Sequence, residues 1–136
     1  MRSSGLFEHD ADFGVVGRGG SVEEAFVAAA EAMFGIMIDP ATVVARETVA
    51  IEFEEADVEL ALVTWLNALL AHARDRGLAL GRFELAREGA RWRGRAAGEA
   101  WRAALERGTE VKGATLTMLS VRRTDDGWEA RCVVDV

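Results

Sequence analysis

The stretch FEHDADFGVVGRGGSVEEAF, residues 7 to 26, reads as a short strand, a polar turn and a second strand closed by the breaker Gly19-Gly20. Ser21 then opens a helix. Glu24 stands three residues on, so each side chain can satisfy a backbone N–H near the other in a capping box. Val22, Ala25, Phe26, Ala29, Met33, Ile36 and Met37 recur at helical spacing and give that helix an apolar face. Its end is expected near Asp39, because Pro40 disfavours helical geometry in the residue before it.

Outward from this segment the period changes. Val49, Ile51 and Phe53 alternate with Ala50, Glu52 and Glu54, the pattern of a strand with one wet face. A second helix is expected after Asp57, a good N-cap. Ala61, Leu62, Trp65, Leu66, Leu69 and Ala73 lie on its inner side, and Gly77 ends it. Beyond it the alternation of Leu78 and Leu80 slips to that of Phe83 and Leu85, which suggests a β-bulge near Gly81. Trp92, Gly94 and Ala96 share one strand face, while Arg91, Arg93 and Arg95 share the other. Cross-strand ion pairs on a solvated face explain that arginine row better than contact with an RNA backbone. Residues 98–112 are the least regular. GATLTMLSVRR, the turn Asp125-Asp126-Gly127 and WEARCVVDV then give the clearest hairpin signal in the chain.

Strands, helix, strand, helix and several strands imply an α+β domain. Its two helices are expected on one face of a mixed, mostly antiparallel β-sheet, in two layers. At 136 residues, half of them hydrophobic and 29% charged, the chain suits one domain, residues 1–136, with a substantial core. No apolar run reaches the roughly 20 residues of a membrane span, so the expected compartment is the cytoplasm. The net charge of −7 is uneven: residues 1–75 hold 14 acids against 4 bases, and residues 76–136 hold 9 against 12. An acidic chain is repelled by RNA phosphates at long range, which favours a protein partner over direct nucleic-acid binding. The lone Cys132 lies in an apolar strand, which argues against disulfide, zinc and thiol chemistry.

One cluster stands out. Glu8, His9, Asp10 and Asp12 crowd four ionisable groups into five residues at the turn between two apolar strands. Such crowding fits either a polar turn or a site compensated by a cation. Asp135 and the α-carboxylate of Val136 offer further oxygens at the other end of the chain. Should the fold bring them to Asp12, three carboxylates would favour a hard cation such as Ca²⁺ or Mg²⁺ over zinc or copper.

Four blocks in register resemble the archease family. The first is FEHDADFGVVGRGGSVEEAF, against a family pattern of Phe-Glu-His-Thr-Ala-Asp, strand, glycine turn and helix. The others are VTWLNALL, the Glu110–Thr115 run EVKGAT, and the closing Val-Asp-Val. The resemblance implies a small acidic protein that assists the RtcB-type RNA ligase, which joins 2′,3′-cyclic phosphate or 3′-phosphate ends to 5′-hydroxyl ends through a histidine-linked GMP. It implies an activator of guanylylation, multiple turnover and broader nucleotide use, and not the ligase itself. Carried over by position, it makes Asp12, Asp135 and the terminal carboxylate of Val136 metal ligands, with Ca²⁺ first and Mg²⁺ or Mn²⁺ as alternatives. Lys112, the single lysine, and His9 become candidates for contact with the ligase. Asp10 in place of threonine and Thr117 in place of a common histidine depart from the family pattern. A metal-independent chaperone or adaptor and a metal-dependent phosphohydrolase are the alternative functions.

Overall fold

The computed structural model describes residues 2–136. In chain order the elements are β1 (Ser3–His9), β2 (Asp12–Gly19), α1 (Val22–Met37), a 3₁₀ turn (Pro40–Thr42), β3 (Glu47–Glu54) and α2 (Val58–Arg76). Then follow β4 (Leu78–Glu88), β5 (Arg91–Ala100), β6 (Gly113–Ala114), β7 (Ser120–Thr124) and β8 (Gly127–Asp135).

Local chemistry sets the helix ends. Ser21 Oγ accepts a hydrogen bond from the Glu24 N–H at 3.1 Å. The return bond is displaced by one residue, since Glu24 Oε2 accepts from the Gly20 N–H at 3.0 Å. Asp39 is extended at φ −74° and ψ 111°, as proline requires of the residue before it, and α1 has already ended at the extended Ile38. Asp57 Oδ1 accepts from the N–H groups of Glu59 and Leu60 at 2.9 and 3.2 Å, and Gly77 closes α2 at φ 62°.

The α+β class with two helices holds, but the strands do not form one mixed sheet. They divide into a five-stranded sheet, ordered β1-β2-β8-β6 with β7 also on β8, and a three-stranded sheet, β3-β5-β4. Every pair is antiparallel. The reason lies in α1, which is buried on most of its circumference and not on one face. A helix that apolar must be covered from two sides. Its small side meets β2, where a Cβ on Gly17 would come within 2.1 Å of the Ala25 carbonyl oxygen, so backbone packs against backbone. Its aromatic side meets the smaller sheet: Phe26 stacks on Trp92 at 5.1 Å and Phe34 meets Phe83 at 5.1 Å. From α2, Trp65 lies over Gly94 and donates its indole N–H to the Phe26 carbonyl at 3.1 Å. One buried cluster therefore joins both helices to both sheets.

Register agrees with the alternation of the sequence along β3, and the bulge falls between Leu80 and Arg82. The closing hairpin differs from the continuous strand expected. After the two residues of β6 the chain leaves the ladder over 115–119 and resumes at Ser120. There Thr115 Oγ1 donates to the Val133 carbonyl at 2.8 Å, and the Thr117 carbonyl accepts from the Val133 N–H at 3.0 Å. The Thr115 N–H also donates to the Val133 carbonyl, at 3.0 Å, so a side chain reinforces two main-chain bonds where the ladder becomes irregular, and Met118 stands at φ 53°.

Candidate functional site

β2 and β8 are neighbours with Phe13 opposite Val134, so the residue that starts β2 and the residue that ends β8 fall at the same edge. Asp12 lies beside the last residue of the sequence: its Oδ1 accepts from the backbone N–H of Val136 at 3.2 Å. Asp12 is half-buried and Asp135 exposed. Among the described residues, no arginine, lysine or histidine nitrogen lies within 4.0 Å of Asp12, Asp135 or the Val136 carboxylate. Also among the described residues, no group of three or more His, Cys, Asp or Glu side chains could hold a metal ion. The expected donor set contains two such side chains and takes its third group from the chain end.

The rest of the N-terminal cluster is distributed around the turn. His9 pairs in register with Asp12, and its Nδ1 lies 3.9 Å from Asp10 Oδ2. Asp10 occupies the turn at φ 52° with its side chain 92% exposed, a backbone position that aspartate tolerates and β-branched residues resist. Glu8 points to solvent. Phe7 lies flat against Gly14, where an added Cβ would come within 2.0 Å of its ring, and so ties β1 to the strand that carries Asp12.

Lys112 reaches the same edge through its main chain: its N–H donates to the Asp135 carbonyl at 2.8 Å. Its ammonium is exposed and makes no ion pair among the described residues. Two residues that position this run were not among the expected site residues. Arg74, placed near the end of α2 by its affinity for the helix dipole, donates one Nη2 to the carbonyls of Val111, at 2.8 Å, and Lys112. Asn67 accepts from the Ala114 N–H at 2.9 Å and donates to its carbonyl at 3.2 Å, so one side-chain amide stands in for a neighbouring strand. Both sit on the α2 side facing the irregular stretch, a side whose polar residues the helical period assigns to solvent.

Other candidates have structural roles. Cys132 is fully buried, and burial pushes its thiol up to about 12, which keeps it protonated and unreactive at neutral pH. Arg91 and Arg93 pair across strands with Glu54 and Glu52 at 3.3 and 3.4 Å. No helix among the described residues is long and apolar enough to cross a membrane.

A carboxylate edge built from both ends of the chain, on this arrangement of strands, invites comparison with known proteins. Residues 5–136 match the model of the archease protein family (MTH1598/TM1083). The chain belongs to the archease family. Protein archease of Thermococcus gammatolerans is 37% identical over the whole of both chains, and that of Sulfolobus acidocaldarius is 33% identical over 96% of each. The solution structure of Methanobacterium thermoautotrophicum protein 1598 is similar to this fold with a TM-score of 0.81. It is 29% identical in sequence, over 98% of this chain and 99% of that one. The family match therefore includes both Asp12 and Asp135.

Proposed function

We propose that this chain is a metal-binding activator of an RtcB-type RNA ligase, promoting guanylylation and turnover of the ligase without being an enzyme itself. Family membership supports the accessory role. The observation that carries the metal reading is the bond from the Val136 N–H to Asp12 Oδ1, at an edge where, among the described residues, no side-chain cation lies within 4.0 Å of Asp12 or Asp135. Carboxylates alone are the ligand chemistry of a hard divalent cation, Ca²⁺ before Mg²⁺ or Mn²⁺. The residues present fit such an ion. Asp12 has one oxygen engaged by a backbone N–H and the other without a protein hydrogen bond among the described residues.

Asp12, Asp135 and the Val136 carboxylate would hold the ion, which when bound supplies concentrated positive charge for a phosphate-rich pocket. The chain's own residues then do the positioning. The β2–β8 ladder fixes the spacing of the two aspartates, and Arg74 and Asn67 hold the run that presents Lys112 beside them. Lys112 offers an exposed ammonium to acidic groups of the ligase, and His9 flanks Asp12 across the turn. The gain to the ligase comes from positioning and charge compensation during nucleotidyl transfer.

The test is ligase guanylylation with and without this protein, repeated with a chelator and with a chain extended beyond Val136. Stimulation that disappears in both repeats supports the reading. Stimulation unchanged by both would refute the metal site, and none with the intact chain would refute the activator role.

A further inference from the structure

Leu116 and Met118 are 64% and 50% exposed, and they are the two most closely spaced of the exposed large hydrophobic residues. Single exposed apolar side chains are ordinary on a protein surface. These two differ in how they are held. Thr115 is turned toward β8, its Oγ1 donating to the Val133 carbonyl and accepting from the Thr117 N–H at 3.1 Å, and Thr117 meets β8 through its carbonyl, which accepts from the Val133 N–H. The Leu119 N–H closes a turn on the Leu116 carbonyl at 3.3 Å. Asn67 fixes the upstream end of the loop at Ala114, and Glu59 Oε2 accepts from the Val121 N–H at 3.4 Å downstream. The Thr115 hydroxyl and the Thr117 main chain are spent inward while the two hydrocarbon side chains are turned outward, the reverse of what an unpartnered hairpin edge would select.

Met118 adds a cost. It is a non-glycine residue at φ 53°, a conformation that L side chains adopt at an energetic penalty and that here keeps a large apolar side chain in water. The loop also adjoins the carboxylate edge. Gly113 pairs with Asp135, and three residues of chain carry the backbone at most about 11 Å from there to Leu116. A rigid apolar projection beside uncompensated acids fits one kind of partner, a protein with an apolar recess next to a cation-bearing rim.

We infer that Leu116 and Met118 form a preorganised apolar anchor that docks the ligase beside its nucleotide pocket, an inference that rests on the proposed function. The loop sets affinity, and the carboxylates set the effect of binding. A side chain that fills a desolvated pocket can dominate an interface, and the charges around it set specificity and encounter rate.

The experiment titrates the full-length protein into a purified RtcB-type ligase, reading guanylylation for half-activation and plateau, with binding measured in parallel. Leu116→Ser with Met118→Ser should raise the half-activating concentration about tenfold or more and leave the plateau and melting temperature near wild type. Met118→Gly relieves the positive φ but adds unfolded-state entropy, so it should melt near the wild-type temperature and still bind more weakly. Unchanged half-activation by the double variant, with wild type active, overturns the anchor and leaves the activator role standing. A wild-type protein that fails to stimulate overturns both. Loss of self-association in the double variant, with ligase affinity intact, would assign the loop to a second copy of this chain and likewise overturn the inference.

Discussion

Glu99 and Glu129 are buried carboxylates whose charge is answered within the fold, whereas Asp12 and Asp135 lie at an edge where no basic side chain answers theirs among the described residues. Glu99 accepts from the Val44 N–H and from Arg102 Nε, both at 2.6 Å, and so links the loop after α1 to the irregular stretch after β5. Glu129 sits among Arg18, Arg122 and Arg131, with nitrogens at 3.2, 3.2 and 3.9 Å, and the Arg131 guanidinium also covers the Phe7 ring at 4.5 Å. The acids that maintain the fold are thus saturated with donors. The edge of β2 and β8 keeps its acceptors in reserve, which is what a group that binds something from outside requires.

The strongest way to break this comparison is Asp12→Ala. The proposed site predicts that ligase stimulation is lost, together with stabilisation by Ca²⁺, which for an intact site would be about 2.7 kcal/mol at a hundredfold excess over Kd. The fold should lose about 1 kcal/mol or less, the worth of one partly exposed hydrogen bond to the Val136 N–H. Calorimetry with and without Ca²⁺ checks both parts. Unfolding of the variant would instead assign Asp12 to the same structural class as Glu129.

The reciprocal change is Glu129→Gln, which leaves three arginines around a neutral amide. Because Arg18 and Arg122 are more than half exposed, water screens much of the loss, and a destabilisation of about 1–2 kcal/mol is expected in urea denaturation. Stimulation of the ligase at saturating concentration should remain. A folded Glu129→Gln protein that no longer stimulates would extend the functional surface onto the outer face of the larger sheet.

A smaller effect distinguishes Glu99 by pH. The Arg102 hydrogen bond, followed by the Val44 N–H, holds its carboxyl below the usual glutamate range against the opposing effect of burial. A lowered value in the folded state means that the stabilisation is complete above the unfolded glutamate value of about 4.3 and is lost as pH falls through the lowered one. Glu99→Gln should therefore melt below wild type at pH 6, with the gap narrowing as pH drops from about 5 to 3. A constant gap across that range would show that Glu99 acts through packing and not through charge.

The sequence made the elements legible where local physics decides them. Ser21, Asp57 and Gly77 mark helix ends by chemistry that needs no tertiary context, and the slip in alternation near Gly81 is a backbone event written in side-chain parity. The division into two sheets was not legible from periodicity. The small and aromatic residues of α1 are both apolar to a hydrophobic pattern, and their separation becomes meaningful when Gly17 is seen beneath Ala25 and Trp92 against Phe26. The approach of Asp12 to Val136 follows from strand pairing across most of the chain, which neither segment encodes by itself. Arg74 and Asn67 were hidden for a related reason: polar residues on a helix flank look solvated until a loop without a ladder of its own supplies bare carbonyls and N–H groups.

The smallest expected effect concerns the apex of the acidic turn. Asp10 is the most exposed acid of its cluster and holds φ at 52°, so its carboxylate contributes to the turn and to the net charge but makes no contact with Asp12 in the hydrogen-bond network of the described residues. Asp10→Gly removes the steric cost of the left-handed backbone and adds unfolded-state entropy, two opposing terms that leave a net change within about 0.5 kcal/mol. Asp10→Thr puts a β-branched side chain at the same φ and should cost about 1 kcal/mol. Urea denaturation of the two variants measures the difference. If the turn is only a turn, both retain wild-type Ca²⁺ affinity and ligase stimulation. A loss of Ca²⁺ affinity shared by both would move Asp10 from the reverse of the turn into the cation's reach, and the uncompensated edge would then comprise three aspartates and not two.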